Sequence, residues 1–277
     1  MIIDQLIYKL LPRRTKSSNK TDAGKVLIIG GGEGLYGAGI LSALAATKSG
    51  AGYTHLMTDL VKFPWIKFPD FILHPIKISE LKNKEDFFIG IGPGLGITEK
   101  NHRLIKYLIQ HNFKNIIADA DALSLIAKYD IAPLPSTWIL TPHEGELARL
   151  LNISAGVVKK DRKLSIKMAQ AKFNCTILLK GAMTLIMNQE TKKITAIHEG
   201  TPALSKAGTG DVLLGMIAAF RAQGLASADA CLLASYIHGK IAQEWEKKGN
   251  DQLSLRPTDL IERLPKMIKM VRLKKYF

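Results

Sequence analysis

The sequence predicts an α/β fold, with a mainly parallel central sheet flanked by helices on both faces and a small antiparallel hairpin. Three observations predict it. Short continuous apolar runs, such as Val26 to Ile29, Phe87 to Ile91 and Thr176 to Leu179, have the character of strands buried on both faces. Each leads into a loop rich in glycine or charged residues, and a stretch with helical spacing commonly follows. The segments Thr184 to Met187 and Ile194 to Ile197, parted by the polar turn NQETKK, read as an antiparallel hairpin. In such folds ligands gather beyond the carboxyl ends of the strands.

Taken in order, residues 1–24 read as a short apolar lead and a basic, polar segment lying over the surface. The run Val26 to Ile29 ends in Gly30, Gly31 and Gly32, and a helix rich in alanine closes near Ser49 and Gly50. The glycines are not in dinucleotide register, which argues against a Rossmann domain. Phe87 to Ile91 feeds GPGLG, Gly92 to Gly96, and Thr98 caps the next helix. Ile116 and Ile117 are strand, with Asp119 and Asp121 at its end; two close carboxylates can bind a metal, orient a base or cap the following helix.

In WILTPHEGELARLL, Trp138 to Leu140 is strand, and Thr141 with Glu144 forms a capping box around Pro142. That arrangement accounts for Glu144 and leaves His143 to meet a ligand as a neutral imidazole. Residues 155–173 form a basic amphipathic helix. The strand Thr176 to Leu179 then delivers Lys180 and Gly181 to the carboxyl edge, where a lysine suits a phosphate. In KAGTGDVLLGMIAAF, Gly208 and Gly210 permit close backbone approach at a helix N-terminus, a natural anion site, and Gly224 suits the helix stop. Asp211 there is either an N-cap or a general base. Ala226 to Glu246 is a long helix bearing His238 at the core edge, and Thr258 to Leu264 starts a short one stopped by Pro265.

The 277 residues, 47% hydrophobic and 23% charged, suit one domain, 1–277, because no Pro/Ser-rich linker interrupts them. Thirty-nine Lys and Arg against 24 Asp and Glu give +15, which favours polyanionic ligands. Aromatic residues do not interleave with the basic ones, so a nucleic-acid partner is not expected. The basic cluster from Lys266 to Lys275 reads as a solvated face. The two cysteines, Cys175 and Cys231, read as buried reduced thiols of a cytoplasmic protein, and no membrane association is expected.

Together, GAGILSALAA, GPGLG, DADAL, TPHEGE, KGAMT and GTPALSKAGTGDVLLG resemble the ADP/ATP-dependent NAD(P)HX dehydratases of the ribokinase-like superfamily, from LPRR at residue 11 to RPTDL near 260. The resemblance implies dehydration of the S epimer of hydrated NADH or NADPH, driven by ADP or ATP as co-substrate, with Mg²⁺ accompanying the nucleotide and no protein metal ligands. It implies that Ala38, Gly94, His143 and Asp211 contact the hydrated cofactor and that Asp211 is the catalytic base. Lys180, Gly181, Ala182, Met183 and Thr184, with Gly208, Thr209 and Gly210, would contact the nucleotide. It further implies a homo-oligomer, a tetramer; some members carry an epimerase domain at the N-terminus, and 277 residues are too few for one to be expected here. HEGTPALSK departs from the family's usual GNPGMA, with Thr201 in the asparagine place and Lys206 just before the turn. The alternatives are a superfamily kinase acting on a vitamin-precursor alcohol, and a non-catalytic nucleotide-binding module.

Overall fold

The computed structural model describes residues 3–59 and 70–273. A helix, α1 (Ile3–Leu10), precedes β1 (Lys25–Ile29), α2 (Tyr36–Lys48), β2 (Tyr53–Thr58) and β3 (Ile72–Pro75). Next come β4 (Phe88–Ile91), α3 (Glu99–Gln110), β5 (Ile116–Ala118), α4 (Ala120–Lys128), β6 (Ile139–Leu140) and α5 (Glu144–Leu151). The chain continues through α6 (Ala155–Lys160), α7 (Arg162–Phe173), β7 (Thr176–Leu179), β8 (Thr184–Met187) and β9 (Ile194–Ile197). It closes with α8 (Thr209–Ala222), α9 (Ser227–Lys247) and α10 (Pro257–Arg272).

The strands form one sheet in the order β3-β2-β1-β4-β5-β6-β7-β8-β9. Pairing is parallel from β3 across to β7 and antiparallel at β7–β8 and β8–β9. The expected sheet and hairpin are therefore present, along with two strands, β2 and β3, that the sequence reading does not name. Alternate residues of β1 serve opposite cores: Val26 and Ile28 meet α2, α8, α9 and α10, while Leu27 and Ile29 meet the α3–α7 side. Burial on both faces is why these strands read as unbroken apolar runs. Each fully buried Leu or Ile contributes on the order of 2 kcal/mol.

Three helical expectations change. The apolar lead is not a surface segment: α1 docks on the α9–α10 side with Ile7 fully buried, while the basic stretch from Arg13 to Asp22 stays largely exposed. The 155–173 helix is two helices, broken at Asp161, whose carboxylate accepts from Leu164 N and caps α7. Pro265 lies inside α10 instead of ending it. Proline removes one helical N–H, but Leu260, Ile261, Leu264, Met267 and Val271 keep helical spacing across it and are all buried, so packing outweighs the lost bond. The basic cluster expected at 266–275 is described only as far as residue 273; its last two positions lie outside the described residues.

Candidate active site

The carboxyl ends of β5, β6 and β7 border one cavity with the N-terminus of α8, and the loops after β1 and β4 join each other beside it. Backbone bonds stitch the first two loops together, Gly31 N to Pro93 O at 2.8 Å and Gly32 N to Gly94 O at 2.6 Å. Gly92, at φ 122°, is required by space as well as torsion, because a Cβ there would overlap the carbonyl oxygen of Asp119. Asp121 does not cap α4: its Oδ2 accepts from Gly96 N at 2.8 Å and ties the GPGLG loop to that helix.

Asp119 stands at the end of β5, 2% exposed, at the N-cap position of α4 but making no side-chain cap bond. Its Oδ1 accepts from Lys180 Nζ at 2.6 Å. Lys180, just past β7, also lies 3.7 Å from Glu146 Oε2. Burial pulls the ammonium's pKa down, yet Asp119, Glu146 and Asp211 together hold it above its ordinary value.

The capping box on α5 sits two residues later than the sequence suggests. The N-cap is His143: its Nδ1 accepts from Gly145 N at 3.0 Å and Glu146 N at 3.3 Å, and Glu146 Oε2 accepts from His143 N at 2.8 Å. Thr141 and Pro142 are still held by the sheet, through Thr141 N to Ala118 O and Lys180 N to Pro142 O, so the helix cannot begin with them. His143 therefore has a structural duty as well as an exposed ring. Its accepting Nδ1 places the neutral imidazole's proton on Nε2. Glu144 is not a capping residue; it pairs with Arg162 at 3.0 Å. Arg162 in turn donates to Met183 O at 2.6 Å and Lys180 O at 3.0 Å, bracing the KGAMT loop.

At α8 the N-cap is Gly208, φ 93°, so Asp211 is not a cap; it lies in the first turn at the third position. Thr209 Oγ1 donates to Leu204 O or Lys206 O, each 2.8 Å away, and His238 Nε2 donates to Thr209 O at 3.0 Å from within α9. Burial lowers His238 to a pKa of about 4, which keeps it neutral. Burial raises Asp211 to about 7; Asp119 and Asp121 push the same way, and Lys180 opposes them. Thr201 caps a short turn by accepting from Ala203 N, and Lys206 Nζ donates to Leu253 O, so both departures from the family pattern have structural work.

A cavity of about 1030 Å³ opens here. His143, Lys180, Gly181, Ala182, Thr184, Gly208, Thr209, Gly210 and Asp211 all line it. Met183 does not, since its side chain packs on the α3–α7 core. Ala38 and Gly94 also lie off its walls. They adjoin each other, a Cβ on Gly94 standing 3.3 Å from that of Ala38, where the first turn of α2 meets the GPGLG loop that Asp121 ties to α4. Asp119, noted from the sequence as a carboxylate able to orient a base, lines the cavity, as does Glu146, which the sequence reading did not name; Arg162 stands behind it. The DADAL carboxylates signalled the first, and the spacing of Glu146 three residues after His143 could have revealed the second. Among the described residues no group of three His, Cys, Asp or Glu could hold a metal ion, and Asp119 is engaged by Lys180.

The profile of the NAD(P)H-hydrate dehydratase family matches residues 26–266. The bifunctional NAD(P)H-hydrate repair enzyme Nnr of Coxiella burnetii is 33% identical over 263 residues, 93% of this chain and 53% of its own length. The chain thus spans about half the length of the first curated relatives it matches. A ribokinase-like superfamily protein of Enterococcus faecalis superposes with a TM-score of 0.87 at 28% identity, covering 97% of this chain and 94% of that one. The Bacillus subtilis ADP/ATP-dependent NAD(P)H-hydrate dehydratase, co-crystallised with ATP/Mg²⁺, superposes with a TM-score of 0.85 at 28% identity, covering 97% of both chains.

Proposed function

The chain belongs to the NAD(P)H-hydrate dehydratase family, and on that premise we propose that it is a single dehydratase domain using ADP or ATP to dehydrate the S epimer of hydrated NADH or NADPH. The observation that carries the proposal is the position of Asp211: a carboxylate raised to a pKa of about 7 on the first turn of a helix, lining one cavity with Lys180 and His143. A base half-ionised near neutrality suits proton abstraction, worth typically about 10²- to 10⁴-fold.

Hydroxide is a poor leaving group and phosphate a good one. Asp211 takes the proton of the ring hydroxyl as that oxygen attacks the terminal phosphorus of the nucleotide, whose bridging P–O bond breaks. Free N–H groups of the first turn of α8 stabilise the transferring charge, and Lys180 orients the donor. The ring nitrogen's lone pair then expels phosphate, and loss of a proton from the adjacent carbon restores the double bond. Mg²⁺ enters bound to the nucleotide phosphates and water as part of that substrate. His143 presents Nε2–H to the hydrated cofactor, with Ala38 and Gly94 shaping its approach; Gly181, Ala182, Met183 and Thr184 receive the nucleotide alongside Gly208, Thr209 and Gly210. The proposed setting is the cytoplasm, as a homotetramer; two free, buried cysteines suit a reducing compartment. Among the described residues no helix is long and apolar enough to cross a membrane.

Incubation with S-NADHX, Mg²⁺ and ADP or ATP should restore reduced-nicotinamide absorbance. Absence of any nucleotide-dependent rise removes the proposal, and a stable phosphate ester in its place identifies a kinase.

A further inference from the structure

Asp119 takes no part in the proton transfer just described, yet it is the most deeply buried carboxylate facing the cavity, 2% exposed. A buried carboxylate is costly unless paired, and pairing accounts for one oxygen only: Oδ1, 2.6 Å from Lys180 Nζ. Oδ2 faces the first turn of α8. It lies 3.7 Å from the point where a Cβ on Gly210 would stand, and Lys180 Nζ lies 3.6 Å from the same point. Because Gly210 has no side chain, the ion pair packs directly over the turn that presents Asp211.

The charges around Asp211 are few. Asp119 ends β5, Asp121 lies on α4, and Lys180 follows β7, backed by Glu146 of α5. From the α9 side comes His238, neutral and bonded to Thr209 O. His143, Glu144, Lys159 and Lys206 also border the cavity, but His143 caps α5, Glu144 pairs with Arg162, Lys159 is exposed on α6 and Lys206 is turned to Leu253 O. On the α2 side Ser42 Oγ donates to the Asp211 carbonyl at 2.9 Å and fixes the backbone of the turn.

Resting on the function proposed above, we propose that Asp119 is a positioning residue: one oxygen tethers Lys180 where it meets the donor's phosphates, and the other sets a fixed negative charge beside Asp211. The charge keeps the base basic, and the tether keeps the cation from neutralising it outright. Both duties fail together in Asp119→Asn.

The test is a pH titration of protein carrying ¹³C-carboxyl aspartate, without substrate, with the Asp211 resonance identified by its loss in Asp211→Asn. Wild type should titrate near pH 7. In Asp119→Asn the midpoint should fall by roughly one unit, the size expected for losing one nearby like charge. In Lys180→Met it should rise, since the lysine's own charge no longer holds Asp211 down and Asp119 is unscreened. An unmoved midpoint in folded Asp119→Asn overturns the proposal; where that variant does not fold, an unmoved or lowered midpoint in Lys180→Met overturns it. In turnover assays, the acid limb of kcat/KM should shift the same way in Asp119→Asn, the nucleotide KM should rise, and Asp119→Glu should return the limb toward wild type. A purely structural role would lower activity without moving the limb. An inactive wild type that shows the NMR shifts overturns the dehydratase function while still supporting the charge coupling.

Discussion

The body of α8, from Val212 to Ala222, and the first turn of the same helix obey opposite rules. In the body only Arg221 is not buried, and Gly215 lies so close to α2 that a Cβ would overlap Ser42 O. Ala43, Ala45 and Ala46 of α2 are fully buried in the same core, and Leu214 fills the space left by the missing side chain of Gly90. The first turn instead holds a left-handed glycine, a carboxylate raised to about 7 and a buried ion pair overhead. The buried carboxylate and the buried ion pair cost stability wherever they stand, and the turn admits only glycine at Gly208 without strain. They persist because the packed body fixes where the helix lies. The comparison teaches that fold and chemistry are separable along one helix, and substitutions can break that claim.

The largest expected effect is on the body. Gly215→Leu drives a side chain into the α2 backbone and should lower unfolding stability by about 3 kcal/mol or more, read as a fall in the denaturant midpoint. A wild-type midpoint would mean that α2 and α8 are not locked together. In the turn, Asp211→Asn should cut kcat by about 100-fold or more while calorimetry still detects nucleotide binding. The same variant should move stability the other way. Asp211 has a folded-state pKa of about 7 against an ordinary 3.8, so more protons are bound in the folded state between those values. Its contribution to stability is therefore complete below about pH 4, declines as pH rises toward 7 and stays lost above. Asp211→Asn should match wild type near pH 4 and exceed it at pH 8 by on the order of 4 kcal/mol. Equal midpoints at pH 8 would show that the carboxylate is ionised at no cost, which removes the electrostatic half of the comparison.

The same division explains what the sequence made legible. Local pattern was legible: the glycine loops, the strand ending at Lys180 and the hairpin are where the sequence places them, and Lys180, His143 and the GTGD turn border one cavity. The break at Asp161 is local, its carboxylate capping α7 three residues on; the other misreadings turn on packing and contacts beyond the local segment. The α5 start moves to His143 because Lys180 N holds Pro142, 38 positions earlier in the chain, by its carbonyl. Pro265 stays inside α10 because buried neighbours on both sides hold it. Asp119 gains its meaning only when Lys180, from two strands away, arrives at 2.6 Å. Arg162 looks like one more cation of a basic helix until the fold carries it to the carbonyls of Lys180 and Met183.

The smallest effect gives the finest test, because α8 is bounded by two glycines with nearly the same torsion. Gly208 at its start has φ 93°, and Gly224 just past its end has φ 95°. Alanine pays a similar backbone penalty at either, about 1 kcal/mol. Their surroundings differ. A Cβ on Gly224 meets nothing within 4 Å, whereas on Gly208 it would stand 2.7 Å from Pro257 Cγ and 2.9 Å from Leu41 Cδ1, on the wall of the cavity. Gly224→Ala should therefore lose about 1 kcal/mol of stability and keep wild-type kcat and nucleotide KM. Gly208→Ala should lose more stability, because Pro257 and Leu41 must shift, and it should raise the nucleotide KM as the turn is displaced. If both variants lose only stability, the first turn is an ordinary helix start; if only Gly208→Ala changes the KM, its left-handed torsion is held in place for the phosphate it faces.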